Sequence, residues 1–85
     1  IKDDMNTVTI APNPVASKLN FSYTAAGNYM EDVIITDITG RKILINTVNS
    51  RPGKNENGII LPAHLTKGIY ILQVGTRNPV KFMKE

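Results

Sequence analysis

Apolar side chains recur at every second position through most of this chain, in short runs interrupted by proline, glycine and asparagine. That period sends alternate side chains to opposite faces of an extended backbone, so each run reads as a β-strand with one face to bury. Helical spacing is nowhere sustained for as long as three turns. Seven such runs, with turn signals roughly every 8 to 12 residues, leave an antiparallel sandwich or a small barrel as the architecture.

One run organises the others. In residues 65–74, Tyr70, Leu72 and Val74 alternate with Ile69, Ile71 and Gln73, which gives one wholly apolar face and predicts a central strand. Leu65, Gly68 and Tyr70 that lead into it are spaced as in the tyrosine corner of immunoglobulin-like sandwiches, where the phenol bonds backbone a few residues upstream. With neither cysteine nor tryptophan, the antibody type of sandwich is excluded. The expectation is a seven-stranded, immunoglobulin-like Greek-key β-sandwich without a disulfide.

In chain order, residues 5–11 form a first strand with Val8 and Ile10 on one face. Pro12-Asn13-Pro14 removes two backbone donors, so the ladder breaks or changes partner there, at a corner or an edge crossing. Residues 17–24 place Leu19, Phe21 and Tyr23 inward, and residues 30–36 do the same with Val33 and Ile35. Asp37 and Gly40 sit at the first and fourth positions of a type I turn, predicting a hairpin with a bulge into a fourth strand over 41–48. Arg51-Pro52-Gly53-Lys54 has the sequence of a type II turn, implying a second hairpin. In the fifth strand the polar residues 55–58 read as an extension of the loop, with only residues 59–61 firmly extended. A turn over 75–79 leads to a last strand over 80–84.

At 85 residues the chain is one domain, burying roughly 60 to 65% of its unfolded surface. It starts at Ile1, not Met, and is read as the C-terminal fragment of a larger protein. No apolar run nears the roughly 20 residues of a membrane helix, so direct membrane insertion is not expected. Residues 1–40 hold two basic and five acidic groups, and residues 41–85 hold eight basic and two acidic. The basic groups, Arg77 among them, are spread over several segments with little aromatic interleaving, so they read as solvated faces and turns and not as a nucleic-acid surface.

Chemistry is sparse. His64 is the one histidine, reads as a surface loop residue, and has no nucleophile paired with it. Asp3-Asp4 and Glu31-Asp32 are adjacent pairs, and neighbours on a strand point to opposite faces. The six glycines are turn residues and form no phosphate loop. No catalytic, cofactor-binding or metal-ligating residue is expected, and the domain is not read as an enzyme.

The order of motifs carries more than any one of them. Pro12-Asn13-Pro14-Val15 is followed by an apolar strand ending in Asp37-Ile38-Thr39-Gly40-Arg41, then by Leu65-x-x-Gly68-Ile69-Tyr70, and last by Lys81-x-x-Lys84. From about Val8 to Lys84 the chain resembles the type A C-terminal sorting domain of the type IX (Por) secretion system of Bacteroidetes. The resemblance implies a disulfide-free sandwich at the C-terminus of an exported protein that crosses the periplasm. The domain would address its N-terminal cargo to the outer-membrane translocon and the cell surface or the medium. A surface sortase would then remove it, usually attaching the cargo to an anionic lipopolysaccharide, with the cleavage point upstream of or within the first residues.

Within that resemblance, Pro12, Asn13, Pro14, Asp37, Gly40, Leu65, Gly68 and Tyr70 are read as motif residues that hold the fold. Lys81, Phe82 and Lys84 are the recognition candidates, with both lysines expected on the exposed face of the terminal strand, which could also be exchanged between two copies through residues 75–79 to give a dimer. Two alternatives stay open: an adhesion or carbohydrate-binding module, for which Tyr29 and Phe82 are the aromatics left over, and an uncleaved domain of a secretion-machinery component.

Overall fold

The computed structural model describes residues 6–11 and 15–85. Seven strands succeed one another: β1 (Val8–Ala11), β2 (Lys18–Ala25), β3 (Tyr29–Asp37), β4 (Lys42–Ser50), β5 (Gly53–Ile60), β6 (Gly68–Val74) and β7 (Val80–Lys84). They form a three-stranded sheet in the order β1-β2-β5 and a four-stranded sheet in the order β4-β3-β6-β7, antiparallel throughout. The two sheets pack face to face as a sandwich, with a strand order compatible with immunoglobulin-like connectivity. The corner read at Pro12-Asn13-Pro14 lies outside the described residues.

The alternation places the core. Leu19, Phe21, Tyr23 and Ala25 of β2 meet Val33 and Ile35 of β3 and Tyr70, Leu72 and Val74 of β6, all buried. Val15, Ile59, Leu61 and Phe82 close the cluster. β6 lies between β3 and β7 as a central strand. The β3–β4 hairpin turns at residues 37–40, where Gly40 takes φ 92° and its N–H donates to the Asp37 carbonyl at 3.0 Å. The ladder restarts after Gly40 with the Asp37 N–H donating to the Arg41 carbonyl at 3.0 Å, and a separate register shift lies further along the hairpin, between Ile35 and Thr36.

Two expectations fail. Residues 51–54 do not make a hairpin: Gly53 has the positive φ of 96° that the turn sequence requires, but β4 and β5 belong to different sheets. The turn is a crossing between layers, stabilised by Asn55, whose side chain bonds the Arg51 N–H at 3.0 Å and the Arg51 carbonyl at 2.9 Å. The polar residues 55–58 are strand and not loop, because β5 pairs with β2 along its whole length, Asn20 opposite Gly58 and Tyr23 opposite Asn55. An edge strand needs only its ladder and one inward row, and Lys54, Glu56 and Gly58 occupy the solvent row.

β7 is flanked on both sides. Beyond its pairing with β6, the Val15 N–H donates to the Met83 carbonyl at 2.7 Å and the Glu85 N–H donates to the Val15 carbonyl at 2.9 Å. Val15 itself is fully buried, so this residue clasps the end of β7.

Candidate recognition site

At one pole of the sandwich β3 ends, β6 begins and β7 ends. Asp37 builds the turn there: its Oδ1 accepts from the Thr39 hydroxyl at 2.6 Å, the Thr39 N–H at 2.9 Å and the Arg41 N–H at 3.0 Å. Arg41 Nε lies 3.4 Å from Asp37 Oδ2. The Thr39 hydroxyl first, then the two backbone donors and the Arg41 charge, together outweigh desolvation and hold this carboxyl below its ordinary value.

Beside the turn stands the tyrosine corner. The Tyr70 hydroxyl donates to the Thr66 carbonyl at 2.7 Å, four residues upstream, and the Tyr70 ring stacks on Phe82 with centroids 6.0 Å apart. Strand register joins the remaining pieces, since Asp37 pairs with Tyr70, Gly68 with Lys84, and Lys84 with Val15. Segments far apart in sequence, 37–41, 65–70 and 81–84, with Val15, thus converge. Between the turn and the corner lies a cleft of about 390 Å³ lined by Ile38, Arg41, His64, Lys67 and Ile69 among others.

The candidates of the terminal strand separate. Lys81 is exposed on the outer face beside Met83, whereas Lys84 is half-buried in phase with Phe82. Three residues of spacing on a strand put two side chains on opposite faces, so the expectation that both lysines share the exposed face is wrong. Phe82 is a core residue at 2% exposure, packed under Tyr70 and not available at the surface. Asp37, Gly40, Leu65, Gly68 and Tyr70 come together around the cleft, while Pro12, Asn13 and Pro14 lie outside the described residues.

The opposite pole holds a polar network that sequence reading missed. Arg77, read as a solvated cation, is buried at 6% exposure. Its Nη1 pairs with Glu31 Oε1, its Nη2 donates to the Thr24 carbonyl at 3.0 Å, and its guanidinium lies 4.3 Å from the Tyr23 ring centroid. Ser50 donates to Glu31 Oε2 at 2.6 Å, so the Tyr23 hydroxyl, 2.7 Å from Ser50, donates to it in turn. Burial pushes the Glu31 carboxyl up, and the Arg77 and Ser50 hydrogen bonds with the Arg77 charge outweigh it, leaving it below its ordinary value. Half of the signal was available: Glu31 is in phase with inward Val33 and Ile35, and an inward carboxylate demands a cation, but the strand pattern does not say which one.

Fold and pole together define a class, an all-β sandwich with a basic and apolar surface cleft. Among the described residues no group of three or more His, Asp or Glu side chains could hold a metal ion, and no helix is long and apolar enough to cross a membrane. The family model of the secretion system C-terminal sorting domain matches residues 9–85, and the chain belongs to that family. It is therefore a sorting domain of type IX secretion, a signal for export to the cell surface or extracellular space. No curated protein matches the chain.

Proposed function

We propose that this domain is the non-catalytic address of a larger exported protein, directing the cargo domains that precede it in the same chain through the outer-membrane type IX translocon, after which a surface sortase removes it. The observation that carries this reading is the family match over residues 9–85. In support, the Lys81 side chain is exposed on β7 and makes no ion pair with a carboxylate among the described residues, which suits a residue read by a partner. A sugar-binding role has less support: Phe21, Tyr23, Tyr70 and Phe82 are all buried, leaving Tyr29 as the exposed aromatic.

A reporter carrying residues 1–85 behind a Sec signal, expressed in a type IX-competent host, tests the reading. Surface delivery and loss of the domain from the delivered reporter are expected; periplasmic retention of the folded fusion overturns it. Deleting residues 80–84 is a poor control, because it also strips Phe82 from the core. Lys81→Ala keeps the fold, and reduced delivery of that variant is expected.

A further inference from the structure

Ile38 is 71% exposed at the second position of the β3–β4 turn, where a polar residue would serve the fold equally well. Ile69 and Met83, opposite each other on β6 and β7, are 44% and 45% exposed on the outer face. Ile69 lines two adjoining hollows: the cleft it shares with Ile38 and a shallow dish it shares with Lys81 and Met83. Three large apolar side chains therefore surround concave surface at one pole, more than scattered surface hydrophobics account for.

The same surface is cationic. Arg41, its side chain 79% exposed, and Lys67 line the cleft, and Lys81 lines the dish. The carboxylate within the cleft, Asp37, is engaged by Thr39 and Arg41 of its own turn, a pair that cancels Arg41 as well and leaves Lys67 and Lys81 as the cations this surface offers a partner. Glu56 lies on the other sheet and Asp32 is at the far end of β3, opposite Thr47. A partner fitting this surface brings carboxylates to the rim and an apolar side chain to the hollow.

We infer that the cleft between the β3–β4 turn and the tyrosine corner, continued over Ile69 and Met83, docks an acidic protein segment that carries an apolar anchor residue. A saccharide or other polyanion would satisfy the cations but leave the isoleucines uncovered. The ring of Tyr70, the aromatic lining the cleft, is packed on Phe82, and its hydroxyl is committed to the corner. The inference rests on the sorting reading and names the kind of partner that the address meets.

The probe is a synthetic peptide of glutamates flanking one central phenylalanine, titrated into the isotope-labelled 85-residue domain. Shift changes centred on Ile38, Lys67 and Ile69 are expected, with affinity falling as salt rises. In the double variant Ile38→Ser/Lys67→Glu the peptide should bind at least about tenfold more weakly, while Lys54→Glu, the same kind of charge change on the other sheet, should leave binding unchanged. Absence of shifts at these residues overturns the inference. So does equal binding of a peptide with serine in place of the phenylalanine, or equal competition by heparin, either of which makes the surface a general polyanion patch. In the reporter assay, a folded Ile38→Ser/Lys67→Glu fusion should be delivered poorly beside a delivered parent. Full delivery of that variant overturns the docking surface and leaves the sorting reading standing; failure of the parent fusion overturns the sorting reading, and the titration then decides the docking surface alone.

Discussion

Arg77 and Glu31, 46 residues apart, pair inside the sandwich with side chains only 7% and 12% exposed. The pair ties the β6–β7 turn to β3, and through the Thr24 carbonyl and the Tyr23 ring it reaches the other sheet. Removing one partner leaves the other charge buried and uncompensated, so Glu31→Gln or Arg77→Ala should each cost about 3 kcal/mol. Denaturant titration of each variant measures this, with an unchanged slope showing that only stability moved. A double variant should cost much less than the sum of the two.

The same pair sets an acid limit. Because the folded-state carboxyl of Glu31 is lowered, its contribution is complete above the ordinary value of 4.5 and is lost as pH falls through the folded value. Stability of the wild type should therefore fall progressively as pH drops below the ordinary value of 4.5 and on through the lower folded value. The curve of Glu31→Gln should be flatter over that window. Equal slopes for the two proteins would show that Glu31 is not the group responsible.

Two glycines test local geometry against each other. Gly75 has φ 58° and a Cβ there would abut Glu31 Oε1 and stand 3.3 Å from Arg77 Nη1. Gly40 has φ 92° and open space around its Cβ position. Alanine at 40 carries the backbone cost alone, about 1 kcal/mol; alanine at 75 adds displacement of the buried ion pair and should cost about 3 kcal/mol. Thermal melts of the two variants, taken side by side, give the comparison.

The inward rows of β2, β3 and β6 were legible because period two is a strong signal where one face is wholly apolar. The tyrosine corner was legible for a different reason: Leu65, Gly68 and Tyr70 are fixed by one hydrogen bond, from Tyr70 to Thr66, that lies within the same short segment. What could not be read was pairing across layers. Pro52-Gly53 specifies a turn but not which sheet receives the chain after it, and the polar row of β5 is held by the β2 ladder, which single-strand patterning does not contain. Arg77 escaped for the same reason, its partners Glu31, Thr24 and Tyr23 lying on two other strands. The cleft too arises only when the 37–41 and 65–70 segments meet.

The corner separates fold from recognition. Tyr70→Phe removes the bond to Thr66 but keeps the ring on Phe82, and Thr66 is exposed enough for water to replace the donor. The loss should be about 1 kcal/mol, and a reporter fused to this variant should still be delivered. Tyr70→Ala empties the core beside Phe82 at about 3 to 5 kcal/mol and should abolish delivery through loss of the fold. Failed delivery of a folded Tyr70→Phe fusion would instead make the phenol part of what the partner reads.

The clasp at the end of β7 makes the last prediction. The Glu85 N–H, just beyond β7, donates to the carbonyl of buried Val15, whose own N–H donates to the Met83 carbonyl. Both amides should exchange far more slowly than that of Asn28 in the exposed β2–β3 turn, and with a common rate, because releasing the end of β7 undoes both bonds and loosens Phe82 in the core. Exchange measured at several protein concentrations also tests strand exchange between copies: a swapped dimer would have to break the Val15 bonds while it forms, so protection independent of concentration identifies the closed, unswapped domain. Rapid exchange at Glu85 with protection kept at Phe82 would show the clasp open in solution, leaving the end of β7 free to add to another sheet edge.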